Sequence, residues 1–354
     1  MTIPHHRCIS DLSAVTCSPD EPTSAILERL NGSPHLFFIV VDNEQRALGT
    51  ITDGDIRRAI LDGATLSDPA RRCMHSAFHA GRVGSDANNV ELLKGLPFLP
   101  ILDQQDRIAE VIVPTSSIPT FTTALVMAGG KGSRLGARTR DKPKPLLPVG
   151  DKPILQRILF DLEAAGVRRI FVSVHYLADQ IEAFIESREN KANITTVKET
   201  KMLGTAGALS LLPEPLSGPI LVVNGDLITQ TDFEALNNFH WRHNHDASIA
   251  VAQHETEVPF GVVKQDENGL FQGIDEKPTI RHFVAAGIYY LSPECCALIP
   301  PDTRMDMPSL LNRIRAAGLK IGLFPIHEYW LDVGRPSDLE RAHADVKADS
   351  EINS

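Results

Sequence analysis

Thr123-Ala-Leu-Val-Met-Ala-Gly-Gly-Lys-Gly-Ser-Arg-Leu135, followed by Lys142-Pro-Lys-Pro-Leu-Leu-Pro148, decides how the rest of the chain is read. The apolar run Thr123–Met127 predicts a buried parallel strand. It runs into Ala128, Gly129, Gly130, Gly132 and Ser133, a turn whose glycines put no Cβ between backbone N–H groups and a polyphosphate. Arg134 and Lys144 add positive charge beyond the turn, and Pro143, Pro145 and Pro148 restrict how the chain leaves it. No Gly-Lys-Ser/Thr closes the turn as in an ATPase P-loop, and Arg134 and Leu135 stand where a dinucleotide-binding turn carries its last glycine. A bare strand-to-helix turn would need the glycines but not the arginine and lysines beside them.

Downstream of this stretch strands and helices alternate, which predicts an α/β domain. Helices are expected over Ile154–Ala165, stopped by Gly166, over Ala178–Ser187, and over Ser337–Val346; strands over Arg169–Val174 and Ile194–Lys198. Met202-Leu-Gly-Thr-Ala-Gly-Ala208 opens another helix through a tight, glycine-bearing turn. Ile220-Leu-Val-Val-Asn-Gly-Asp226 is a buried strand ending in a carboxylate, the usual place for a metal ligand at the C-terminal edge of a parallel sheet. His240, His243 and His245 cluster near the end of a helix expected over Asp232–Asn244; an ordinary histidine-rich helix end explains them better than a metal site, since no Cys or Glu completes a set.

Upstream, a repeat appears with a period of about sixty residues. Phe37–Thr52 aligns with Phe98–Val113, placing Asp42 on Asp103 and Arg46 on Arg107. Each copy reads as a hairpin with a polar turn. Helices are expected over Thr23–Leu30, capped by Thr23, near Asn89–Leu93, and over Gly54–Leu61, capped by Asp53. Pro114-Thr-Ser-Ser-Ile-Pro119 and the residues up to Thr122 read as a linker.

Bulk properties narrow the function class. The 354 residues allow two or three domains, and 42% hydrophobic with 23% charged residues describes an ordinary globular composition. A net charge of -10 argues against non-specific binding to nucleic acid or acidic membranes, although a local basic loop can still dominate its own site. Cys8, Cys17, Cys73, Cys295 and Cys296 form no C-x-x-C pair; free thiols in a reducing cytoplasm are expected. Neither a signal core at the N-terminus nor a run long enough to cross a bilayer is present in the sequence.

The glycine turn followed by K-P-K-P resembles the signature of sugar-1-phosphate nucleotidyltransferases, the nucleotide-sugar pyrophosphorylases. Residues 1–118, above all Gly49-Thr-Ile-Thr-Asp-Gly-Asp-Ile56, resemble a tandem pair of CBS domains, a Bateman module. The layout is similar to the GDP-glucosamine type of pyrophosphorylase. The resemblance implies an α/β, GT-A-like, Rossmann-type nucleotidyltransferase domain over residues 119–354, preceded by the α+β CBS module. It implies transfer of a nucleotidyl group from an NTP, GTP favoured, to a sugar-1-phosphate, with release of pyrophosphate. Asp226 and Asp332, the latter in a W-x-D-V-G pattern, would hold Mg2+; Arg134 would steady the triphosphate and Lys144 contact phosphate near the reacting centre. Gly204, Thr205 and Ala206 would lie against the nucleotide base, where small residues let it stack on backbone and helix-start amides serve its polar edges. Gly261 of Pro259-Phe-Gly, Glu276 and Lys277 of Glu-Lys-Pro, and Gly287 would form the sugar-phosphate site, Lys277 on the phosphate. Thr52 and Asp55, matching T-x-x-D, would contact the ribose of an adenine nucleotide; Val113 and Ser116 break that pattern in the second repeat. A homo-oligomer is expected, because CBS pairs often dimerise. Mannose-1-phosphate guanylyl transfer, uridylyl transfer, and a non-catalytic sensor of nucleotide and sugar phosphate are the alternatives.

Overall fold

Residues 6–9, 11–31, 33, 35–94, 96–114, 122–189, 191–213 and 216–352 are described by the computed structural model, Asn31 and 349–352 by their backbone alone. The chain divides into two units, Met1–Pro119 and Thr120–Ser354, each taken by itself below. Most of the expected linker falls on residues outside the described set.

The first unit runs β1 (His6–Ile9), β2 (Thr16–Cys17), α1 (Thr23–Asn31), β3 (Phe37–Val41), β4 (Ala47–Thr52), α2 (Asp53–Leu61), β5 (Gly81–Arg82), α3 (Asp86–Leu93), β6 (Leu99–Leu102) and β7 (Ile108–Pro114). Its sheets are ordered β2-β3-β4 and β1-β7-β6-β5. The repeat is reproduced atom by atom. Asp42 Oδ1 accepts from the amides of Glu44 and Arg46, and Asp103 Oδ1 from those of Gln105 and Arg107, each at 2.9 Å. Arg46 Nε and Arg107 Nε then donate to the second oxygens of Asp42 and Asp103. Phe37 and Phe98, equivalent positions in the two copies, stack at 3.8 Å between ring centroids.

Two caps differ from expectation. Thr23 lies within α1, and its hydroxyl donates to the Asp68 carbonyl at 2.7 Å, so it binds the helix to a distant loop and caps nothing. The cap of α2 is Thr52, not Asp53: Thr52 accepts from the Asp55 amide while Asp55 accepts from the Thr52 amide, a reciprocal capping box.

The second unit begins with β8 (Thr123–Met127), β9 (Pro148–Val149), β10 (Lys152–Pro153), α4 (Ile154–Ala164), β11 (Arg169–Val174), α5 (Ala178–Glu186), β12 (Asn193–Lys198), α6 (Gly204–Gly207), β13 (Ile220–Asn224) and β14 (Leu227–Thr229). It continues with α7 (Phe233–Arg242), β15 (Ala247–Glu257), β16 (Val262–Gln265), β17 (Phe271–Asp275), β18 (Thr279–Leu291), α8 (Pro293–Cys296), α9 (Met307–Ala316), β19 (Ile321–Ile326), β20 (Trp330–Asp332) and α10 (Pro336–Ile352). The main sheet is ordered β12-β11-β8-β13-β18-β15-β19, with β12, β11, β8 and β13 mutually parallel. In chain order those four are the third, second, first and fourth strands, the arrangement of a doubly wound nucleotide-binding half. Alternation along the strands fills both faces: Ala124, Val126 and Val172 join one apolar cluster, Leu125, Phe171 and Val222 the other. The last helix extends past the expected Val346. His240, buried on α7, shares a 3.1 Å hydrogen bond with Ser248 and meets the Tyr290 ring edge-on, which makes it a core residue.

Candidate active site

The glycine turn follows β8 at the C-terminal edge of the parallel strands. The Ala128 amide donates to the Ser173 carbonyl and the Gly225 amide to the Met127 carbonyl, so three strand ends are tied together. Gly132 has φ +61°, a left-handed conformation that favours glycine, and its carbonyl accepts from the Thr139 hydroxyl. A Cβ on Gly129 would stand 3.0 Å from Glu199, whereas one on Gly130 would meet open space. Ser133 and Arg134 are exposed beyond the turn.

Lys144, buried in the short turn after Pro143, forms an ion pair with Asp226 and lies 3.9 Å from Asp332. Asp226 and Asp332 are brought side by side by a two-stranded sheet in which Leu227 pairs with Asp332. The Val333 amide donates to the Asp226 carbonyl at 3.0 Å and closes that junction. Burial raises the Asp332 carboxyl above its usual range, and the Asp226 charge adds to the rise; Lys144 and Arg134 oppose it. Asp332 Oδ1 is buried without a hydrogen-bond partner. Arg134 Nη1 stands near the same spot, 3.6 Å from where a Cβ on Gly334 would be.

Two adjacent carboxylates, one with an orphaned oxygen, present hard oxygen donors that suit Mg2+, which commonly uses one or two carboxylates and takes its other ligands from water and phosphate. Among the described residues no group of three or more His, Cys, Asp or Glu gathers elsewhere to hold a metal.

The expected sugar-phosphate residues fall in two groups. Gly261, Glu276 and Lys277 are exposed and flank the open end of a two-stranded ribbon, Gly261 just before β16 and the other two just after β17. A Cβ on Gly261 would be 3.0 Å from Glu276 Oε1, so these two are neighbours, and Lys277 takes a left-handed φ of +46°. Gly287, φ +74°, belongs with the first group: a Cβ there would be 2.6 Å from Asn224 Nδ2.

The 202–208 segment has a packing reason for its glycines. A Cβ on Gly204 would strike Asp306 and Met305, and the Ala206 and Gly207 amides both donate to the Met305 carbonyl at 3.0 Å. Ala206 is fully buried and its amide is engaged, so Ala206 serves the core in place of the expected base edge; Gly204 and Thr205 keep part of their surface accessible.

Sequence reasoning missed two residues. Glu199, buried at the end of β12, accepts from the Ser173 hydroxyl and from the Leu203 amide at 2.8 Å, joining the base-side segment to the floor under Gly129. No local pattern marks it. Asn224 Oδ1 is buried and without a hydrogen-bond partner beside Gly287; its place in Asn224-Gly-Asp226 was the signal.

The nucleotidyl transferase family model matches residues 123–349, nearly two thirds of the chain and the whole of this constellation. The chain belongs to the nucleotidyl transferase family. Residues 9–62 match the CBS domain model. The nucleotidyl transferase region is 32% identical over 236 residues to the mannose-1-phosphate guanylyltransferase catalytic subunit beta of Drosophila pseudoobscura pseudoobscura, covering 64% of this chain and 62% of that protein. It is 35% identical over 227 residues to the mannose-1-phosphate guanyltransferase of Yarrowia lipolytica, covering 60% and 61%. The chain thus spans about three fifths of the length of the curated relatives it matches. In fold it is similar to HddC from Yersinia pseudotuberculosis, with TM-score 0.50 and 24% identity, covering 64% of this chain and all of that one.

In the CBS unit, Thr52 Oγ1 donates to Asp55 Oδ2 at 2.6 Å. Arg58 binds the other Asp55 oxygen, so the carboxylate is held by its own chain. Asp55, Arg58, Arg72 and His75 line a cavity of about 220 Å3. No helix among the described residues is long and apolar enough to cross a membrane.

Proposed function

We propose that this nucleotidyl transferase family member joins an NTP and a sugar-1-phosphate into a nucleotide sugar. The observation that carries this reading is the Lys144 ammonium, paired with Asp226 and close to Asp332 beside the glycine turn. A sugar-phosphate oxygen attacks the α-phosphorus in line; the bond from the α-phosphorus to the oxygen bridging it to the β-phosphorus breaks, and pyrophosphate leaves with that electron pair. The protein's work is to hold two mutually repelling anions in line and balance their charge.

In this reading the amides of Gly129, Gly130, Gly132 and Ser133 cradle the triphosphate, and Arg134 steadies the departing pyrophosphate. Lys144 approaches the reacting phosphate. Gly261, Glu276 and Gly287 take the sugar, with Lys277 on its phosphate; Gly204 and Thr205 flank the base. Asp226 and Asp332 would hold Mg2+, which when bound supplies charge neutralisation between the two phosphates.

GTP is the donor we favour, because the relatives named above are guanylyltransferases. Mannose-1-phosphate, after those names, and glucosamine-1-phosphate, after the domain layout, are the first acceptors to try. We further propose that residues 1–118 form a tandem CBS module apart from a transferase domain over 119–354. That module takes an adenine nucleotide at the cavity beside Asp55 and supports a homo-oligomer, in a cytoplasmic setting.

The test is pyrophosphate release with Mg2+ across NTPs and hexose-1-phosphates. Release with GTP and one of the two named acceptors is the expected result. Release with another pair corrects the specificity, and silence across the grid, with and without AMP or ATP, overturns the assignment.

A further inference from the structure

Beside the strand pair that carries the two carboxylates, the second unit has another pocket, open to solvent and of about 480 Å3. One wall is β14 with the residue after it, Leu227 to Gln230, and Tyr329 just before β20. α4 contributes Gln156, Arg157, Phe160 and Asp161 to the lining. None of the residues assigned above to NTP, sugar or metal lines it.

The lining has two chemical ends. Arg157 is held in place by its own chain: Nε and Nη2 both donate to the Val149 carbonyl, at 3.2 and 2.7 Å. Lys152 lines the same cavity and forms no ion pair among the described residues. Arg157 Nη2 also pairs with Asp151 at 3.4 Å. Arg188, paired with Glu163, and Asp345, which accepts from the Tyr329 hydroxyl, line the cavity too. Two guanidiniums and a mobile ammonium thus stand against one further carboxylate, leaving the lining positive at this end. Asp161 lies one position beyond Phe160 and one helical turn past Arg157. Burial pushes that carboxyl up to about 6, with Arg157 offsetting part of the rise; its oxygens are acceptors for a hydroxyl. The Gln156 amide adds a donor and an acceptor, and the exposed Phe160 ring supplies an apolar flank.

We infer that this cavity binds a hydroxyl-bearing anion of sugar size, a sugar phosphate or a sugar carboxylate, with its anionic group on Lys152 and Arg157 and its hydroxyls donating to Asp161. A volume of about 480 Å3 falls within the range of small-molecule sites. The position gives binding a consequence. Leu227 and Ile228 line the cavity, Leu227 follows Asp226 directly, and Leu227 pairs with Asp332. An occupant therefore presses on the two strands that fix the carboxylate pair, and it acts as an effector. The effector role rests on the proposed transferase reaction; the binding site does not.

The test uses the full chain and titration calorimetry with glucose 6-phosphate and glucuronate, with inorganic phosphate and glucose as controls. At least one of the two sugar anions should bind, more tightly than either control. Its Kd should rise at least tenfold in Lys152→Ala and in Asp161→Asn and stay unchanged in Lys277→Ala. Binding of glucose 6-phosphate alone names phosphate as the recognised group, and of glucuronate alone, carboxylate. Binding of neither, binding that survives both cavity substitutions, or binding lost in Lys277→Ala overturns the site. With the site confirmed and pyrophosphate release measured in parallel, turnover unmoved by a saturating sugar anion overturns the effector role. An enzyme silent in every assay while still binding the anion fails the transferase reading and leaves the site standing.

Discussion

Lys144 and Asp226, 82 residues apart in sequence, form an ion pair at the C-terminal edge of the parallel strands, and the same ammonium stands 3.9 Å from Asp332. Lys144 is almost fully buried, so its charge is compensated chiefly by these two carboxylates. Lys144 and Asp226 would each be costly there without the other.

Lys144→Ala should therefore lower both activity and stability. We expect kcat to fall by about two to three orders of magnitude, since several kcal/mol of transition-state charge stabilisation is removed. Unfolding free energy should drop by about 1–3 kcal/mol, below the figure for a fully buried pair because both carboxylates are partly exposed. Stopped-flow pyrophosphate release and urea denaturation read the two effects separately.

Asp332→Asn should uncouple them. Asp332 is raised by burial and by Asp226, so the native state holds its proton to higher pH than the unfolded chain does. The sign follows: ionisation of Asp332 costs the native state stability as pH rises, and that cost is absent below the unfolded carboxyl's range. The asparagine variant should melt above the parent near pH 7, with the gain shrinking as the pH falls, while activity is lost. Thermal melts from pH 4 to pH 8 without divalent cation decide this; a lower melting temperature at pH 7 counts against it.

Glu199→Ala should act on the nucleotide side. It leaves the Ser173 hydroxyl and Leu203 amide without their acceptor and frees the floor under Gly129. We expect a loss of about 1–3 kcal/mol in stability and a raised KM for the NTP, with the sugar-phosphate KM little changed. Glu199→Gln, which keeps one acceptor oxygen, should recover part of both. Equal effects on the two KM values would reject this positioning role.

His240 sets an acid limit on the second unit. Burial lowers it to about 4, so it packs neutral against Tyr290 and Ser248. An unfolded histidine near 6.5 takes up its proton first, and stability should fall as pH drops from about 6.5 to 4, by up to about 1.4 kcal/mol per pH unit. His240→Gln should flatten that segment of the stability profile in urea titrations at fixed pH steps. An unchanged slope would assign the acid sensitivity to other groups.

Much of the architecture was legible because its causes are local. The strand Arg169–Val174 has the bounds its apolar run implies, Gly166 ends α4 with a φ of +89°, and the two hairpin repeats share their aspartate-arginine turns. Caps were less legible. Thr52 and Asp53 are both good capping residues by type, and the choice between them depended on which side chain had a free amide three residues on.

The sequence by itself determined the glycine turn, the parallel strand order's building blocks, the family, and the residue types at the site, since each rests on backbone freedom or short-range periodicity. Tertiary structure alone decided which charges meet. Lys144, Asp226 and Asp332 converge because β14 and β20 pair, Glu199 reaches Gly129 because β12 and β8 flank β11, and Lys152, Arg157 and Asp161 line one pocket together with β14. Charge pairing and burial depend on distances through space, and those are fixed when the sheet closes, not by spacing along the chain.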